Sequence, residues 1–133
     1  MFVMKDEFLT GITLIDDEHR ELFRIAQSAL DLYQDDFVVD KYDHIVVILK
    51  ELRDYTIKHF ADEEAYMESI NYKKLFTQKI EHNAFVEKLN ELDFDTIDEN
   101  QDSAILDLLN FLNDWLVNHI LEKDKLIPHV SDN

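Results

Sequence analysis

Ile45–Met67 reads IVVILKELRDYTIKHFADEEAYM, and its spacing decides the fold. Ile45, Ile48, Leu49, Leu52, Tyr55, Thr56, Phe60 and Met67 recur three and four residues apart. That is one face of an amphipathic helix, predicted from about residue 40 to 68. Two polar residues, His59 and Glu63, sit on the same stripe. A bundle with nothing to bind would carry Leu or Ala there.

Working outward, the same periodicity returns three times. Ile12, Ile15, His19, Leu22, Phe23, Ala26 and Leu30 mark a first helix over roughly 12–34. Leu75, Gln78, His82, Phe85 and Leu89 mark a third over roughly 72–92. Ile105, Leu108, Leu109, Leu112, Leu116, His119, Ile120 and Ile127 mark a fourth, capped by Asp102 or Ser103 and ended by Pro128. Short connections imply antiparallel neighbours. The chain holds one Gly and one Pro, too few for the turns of a sandwich or barrel. The predicted fold is therefore all-α, an antiparallel up-down-up-down four-helix bundle. At 133 residues it reads as a single domain: an irregular arm over 1–11, the bundle over 12–128, and a tail over 129–133.

Composition narrows the function. The formal net charge of -17 repels phosphate backbones and anionic lipid, so neither a nucleic acid nor a membrane is an expected partner. The absence of cysteine removes disulfides, thiolate metal sites and cysteine nucleophiles. MFVMKDEF lacks the basic region and apolar run of a secretory signal, so a cytoplasmic location is expected.

The polar interruptions of the four stripes are His19, His59, Glu63, Gln78, His82, His119 and Asp124. A buried, unpaired carboxylate costs several kcal/mol, but such groups are tolerated together around a cation. His59 stands about 11 residues before the turn near residue 70 and His82 about 12 after it, at nearly one depth. His119 lies too deep by the same count, unless the third helix runs past Leu92 or the fourth starts late. On a continuous helix His119 and Asp124 lie about 140° apart, straddling the inward direction. Imidazoles with bridging carboxylates suit iron, manganese or zinc, and two bridging carboxylates point to two ions. His44 and His129 fall outside the set. Glu64 reads as solvated, and Asp16 either serves the helix dipole or accepts from a ligand imidazole.

Gly11-Ile-Thr-Leu-Ile-Asp-Asp-Glu-His19, Tyr55-Thr-Ile-Lys-His59-Phe-Ala-Asp-Glu63-Glu64, and Trp115-Leu-Val-Asn-His119-Ile with Asp124 together resemble the hemerythrin family, in particular its single-domain bacterial members. The resemblance covers nearly the whole chain. It implies two iron ions in an oxo- or hydroxo-bridged di-iron centre. His19 and His59 would hold one iron, His82 and His119 the other, with Glu63 and Asp124 bridging. Leu116, Ile120, Phe60 and Trp115 would line an apolar ligand pocket. One expected histidine, a turn before His82, is Gln78, which is a metal ligand, an outer partner or a bystander. The implied function is binding of O2 or another small diatomic ligand, as carrier, store or sensor, rather than catalysis. The alternative is a di-iron enzyme acting on O2, peroxide, nitric oxide or ferrous iron, with iron coordination altered at Gln78.

Overall fold

The computed structural model describes residues 2–92 and 94–128; the tail predicted over 129–133, His129 included, lies outside them. Helices α1 (Thr13–Gln34), α2 (Tyr42–Ser69) and α3 (Leu75–Asn90) form three rods. A short helix α4 (Phe94–Glu99) follows. The fourth rod is composite: α5 (Gln101–Leu112), a π-helical turn (Asn113–Val117) and α6 (Asn118–Glu122). The junction residues Leu112, Asn113, Val117 and Asn118 all keep right-handed helical dihedrals, so the rod is continuous. α1 packs along α2 and α5, and α2 along α3. The described residues contain no strand. The all-α antiparallel bundle predicted from periodicity is the observed fold.

The turns follow the local chemistry. Gly11 takes φ 86°, a left-handed value that costs glycine little. Asp16 clamps that turn by accepting from Thr10 N and Thr10 Oγ1, both at 2.8 Å, and Gly11 N at 3.2 Å. The α2–α3 turn passes through Asn71 at φ 54°, a conformation asparagine tolerates well.

Several expectations are corrected. The arm is not irregular throughout: a 3₁₀ turn over Asp6–Phe8 tucks Phe8 against Phe23, their rings 5.4 Å apart. The stretch between the third and fourth rods, left unassigned by periodicity, holds α4, which Ile97 anchors in the main core. Two apolar residues, Phe94 and Ile97, among acidic neighbours are too few to reveal a helix. The fourth helix does not run to Pro128. It ends at Glu122, and a 3₁₀ turn, Asp124–Leu126, follows.

The polar residues lie between two apolar regions. On one side is the main core, which includes Leu22, Ile25, Leu52, Phe85 and Leu112. On the other a plug of Ile12, Ile15, Met67 and Ile127 closes the bundle. Ile15, Met67 and Ile127 each lie three or four positions from His19, Glu63 or Asp124 in sequence, so the plug sits about one helical turn beyond them.

Candidate metal centre

Every rod contributes. α1 supplies His19, α2 His59 and Glu63 one turn apart, α3 Gln78 and His82, α6 His119, and the 3₁₀ turn after it Asp124. All are buried. A π-helical turn directly precedes His119 and sets the direction in which it points. A π turn accommodates one extra residue, so His119 is rotated by about 100° from where an uninterrupted helix would leave it. The third helix ends early and the fourth starts early, so neither displacement offered from sequence operates. Asp124 reaches the site because the helix has already broken at Lys123.

The two carboxylates divide their oxygens. Glu63 Oε2 faces His59 Nε2 at 3.4 Å and His19 Nε2 at 3.7 Å, while Oε1 faces His82 Nε2 at 3.0 Å. Asp124 Oδ2 faces His19 Nε2 at 3.0 Å, while Oδ1 faces His119 Nε2 at 3.1 Å. The result is two four-residue groups, His19–His59–Glu63–Asp124 and Glu63–His82–His119–Asp124, each with ligand atoms within 4.8 Å of one another. Both groups share both carboxylates.

Proximity here is not hydrogen bonding. His19 Nδ1 and Nε2, both Glu63 oxygens, Gln78 Oε1, His82 Nε2 and His119 Nε2 are buried without a hydrogen-bond partner among the described residues. Buried polar groups in folded proteins are nearly always satisfied. The histidine Nε2 atoms and the carboxylate oxygens converge on shared points instead of aligning with one another, which is the geometry of groups that bind a cation.

Electrostatics agrees. Burial alone would lower the His19 pKa, but Asp124 and Glu63 outweigh it and raise it from 6.5 to about 9. Burial and the Asp124 charge work to raise Glu63, yet His19, His82 and His59 hold it below the usual carboxylate range. Asp124 is held well below that range against its own burial, by His119 and His19. His82 is raised, with Glu63 and Glu64 overcoming burial. Two ionised carboxylates in an apolar interior demand positive charge, which protons supply in the metal-free chain and divalent ions would supply better.

A ring of outer carboxylates escaped the sequence reading. Glu18 Oε1 meets His59 Nδ1 at 3.0 Å, Glu64 Oε2 meets His82 Nδ1 at 2.8 Å, and Glu81 Oε2 meets His119 Nδ1 at 2.9 Å. Glu64 is therefore not simply solvated, and Asp16 serves the Thr10–Gly11 turn instead of an imidazole. The three acids obey one rule. Each directly adjoins a site residue on its own helix, and so points about 100° away from it, toward the histidine of the next helix. Adjacency to His19, Glu63 and His82 was the available signal. Glu18 and Glu81 also reach surface lysines, Lys58 Nζ at 2.7 Å and Lys123 Nζ at 3.6 Å. An acceptor on Nδ1 fixes the proton there and leaves Nε2 free to ligate. Glu18→Gln, Glu64→Gln or Glu81→Gln should each weaken cation retention about 10- to 100-fold, measured by competition with a chelator. Unchanged retention in all three variants would exclude this tautomer-fixing role.

Gln78 is in contact with the cluster: Nε2 donates to Asp124 Oδ1 at 3.2 Å. Phe60 stacks on the His82 imidazole, centroids 4.0 Å apart and 3° from parallel, and Trp115 on His119 at 4.3 Å and 11°. Leu116 belongs to the main core, and Ile120 packs with Phe8 and Phe23. His44 is exposed, away from the cluster.

Fold and cluster together define a helical-bundle protein with a buried histidine–carboxylate cation site. The family model of the Hemerythrin HHE cation binding domain matches residues 10–130. The chain belongs to the hemerythrin family. It is 50% identical over 125 residues to a bacteriohemerythrin of Clostridium acetobutylicum, covering 94% of this chain and 97% of that one. It is 31% identical over 124 residues to a bacteriohemerythrin of Pseudomonas aeruginosa, covering 92% and 76%. It is 34% identical over 113 residues to a hemerythrin of Themiste dyscrita, covering 85% and 79%. Among the described residues no helix is long and apolar enough to cross a membrane.

Proposed function

We propose that this chain is a non-haem di-iron protein that binds O2 reversibly, as a carrier, store or sensor, and works as one domain in the cytoplasm. His19 and His59 would hold one iron, His82 and His119 the other, with Glu63 and Asp124 shared between them. The observation that carries the reading is the division of both carboxylates between two histidine pairs. Imidazole and carboxylate donors without thiolate suit iron. Two bound irons would supply the electrons and the open coordination position that O2 requires.

The chain's own residues do the rest. Phe60 and Trp115 cover the rings of His82 and His119, and the Ile12–Ile15–Met67–Ile127 plug closes the opposite side. Both limit water at the cluster and so protect a reduced metal from oxidation. Elemental analysis is expected to give about two irons per chain. Admitting O2 to the reduced protein should change its visible spectrum, and removing O2 should reverse the change. Irreversible oxidation on first contact would overturn the O2-binding reading.

One observation favours a second reading, a di-iron enzyme. Gln78 uses its amide N–H on Asp124 and leaves Oε1 unpartnered. An amide oxygen is a weaker donor than imidazole, so an iron held by His82 and His119 would keep a more exchangeable position. Gln78→His should slow loss of the O2-bound state about tenfold or more, followed optically. An unchanged rate with unchanged iron content would make Gln78 neutral to the chemistry.

A further inference from the structure

We infer that cations reach the buried cluster through the surface groove between α3 and the fourth rod, with His119 as the gate. The groove has a volume of about 430 Å³. Glu81, Asp114, Trp115, His119, Glu122 and Lys123 lie along it. His119 forms part of its floor while its Nε2 faces Asp124 inside. Such a route presupposes that the cluster binds cations.

Three observations single out this groove. The His119 side chain is 4% exposed, against 0–1% for His19, His59, Glu63, His82 and Asp124. Its anchoring carboxylate is also the most open of the ring: Glu81 is 32% exposed, Glu64 24% and Glu18 4%. Finally, His119 rides on the five-residue helix α6, between the π-helical turn and the break at Lys123. His59 and His82 stand inside long, regular helices.

The rim supplies attraction. Asp114 and Glu122 are exposed at the groove, and acidic groups around a concave surface raise the local concentration of divalent ions. Glu81 bonds His119 through one oxygen and pairs with Lys123 through the other. An incoming ion drawn to Glu81 displaces Lys123 from one oxygen and competes with His119 Nδ1 for the other, which frees the imidazole to rotate. His119 then closes over the ion as a ligand.

The experiment follows loading of the metal-free protein with Co2+ alone, by stopped-flow absorbance at low and high salt. Asp114→Asn with Glu122→Gln should slow loading about five- to tenfold at low salt, and the deficit should shrink as salt screens the rim. Asp43→Asn with Glu99→Gln makes the same charge change at exposed positions away from the groove, and should alter the rate less than about twofold. Ala84→Trp fills the groove wall and should slow loading at every salt concentration. Final cobalt content should stay the same throughout. Equal slowing by both charge pairs, or wild-type loading by Ala84→Trp, would overturn the route. No cobalt uptake by the unmodified protein would instead overturn the cation-binding reading.

Discussion

Glu63→Gln is expected to leave the chain folded and unable to hold either metal ion. The amide has nearly the shape of the carboxylate, so packing between the main core and the plug survives. What disappears is the negative charge and one of the two strong donor oxygens. Glu63 is fully buried, and its oxygens serve both histidine pairs. A single neutralisation therefore weakens two positions at once. His59 belongs to one group only, so its loss should spare part of the other. Metal content should fall from about two ions per chain to fewer than about 0.2 for Glu63→Gln, and to an intermediate value for His59→Ala. Equal, partial loss in both variants would show that Glu63 does not bridge.

Removing the metal should destabilise the chain by several kcal/mol and give it a pH dependence that the loaded protein lacks. An ion that binds only the folded state adds roughly 4 kcal/mol per site at a thousandfold excess over its Kd. The melting temperature should therefore drop by about 10 °C or more. The sign of the pH effect follows from the site. The pKa of His19 is raised from 6.5 to about 9 in the folded chain. Its contribution is complete below pH 6.5 and is lost as pH rises through about 9. At 2.303RT per pKa unit this is on the order of 3 kcal/mol. Glu63 and Asp124 are lowered, so their contribution is present above the ordinary carboxylate range and lost on acidification. The metal-free chain should thus be most stable from about pH 4.5 to 6.5 and weaken toward pH 9, as urea unfolding at pH 6 and pH 9 would show. Divalent ions displace these protons, so the loaded protein should hold its stability over the same interval and lose it on acidification. A metal-free chain equally stable at pH 6 and pH 9 would mean that Asp124 and Glu63 do not keep His19 protonated.

Much of this is legible in the order of amino acids alone. A period of 3.6 with almost no glycine or proline leaves few alternatives to a helical bundle. Polar residues on an apolar stripe announce themselves because burial is costly. His19, His59, Glu63, His82, His119 and Asp124 can be picked out one helix at a time for that reason, and the fold brings all six together. The outer acids cannot. Glu18, Glu64 and Glu81 stand among thirty acidic residues, and adjacency to a site residue marks them only weakly, since Asp62 shares it and pairs with Lys58 instead. That distinction depends on which helix lies alongside which.

The fourth rod shows the division most clearly. Sequence alone determined that His119 and Asp124 belong inside, since both fall where apolar residues are otherwise required. It also limited the donors to imidazole, carboxylate and one amide. Tertiary structure decided how the two residues get there. Periodicity treats the fourth rod as one regular helix ending at Pro128. The chain departs from it with a π-helical turn at Asn113–Val117 and a break at Lys123. Neither has a local sequence signature that periodicity would reveal. Tertiary structure likewise decided that each carboxylate divides its two oxygens between histidine pairs, because periodicity reports which face of a helix is buried and not which atoms meet there.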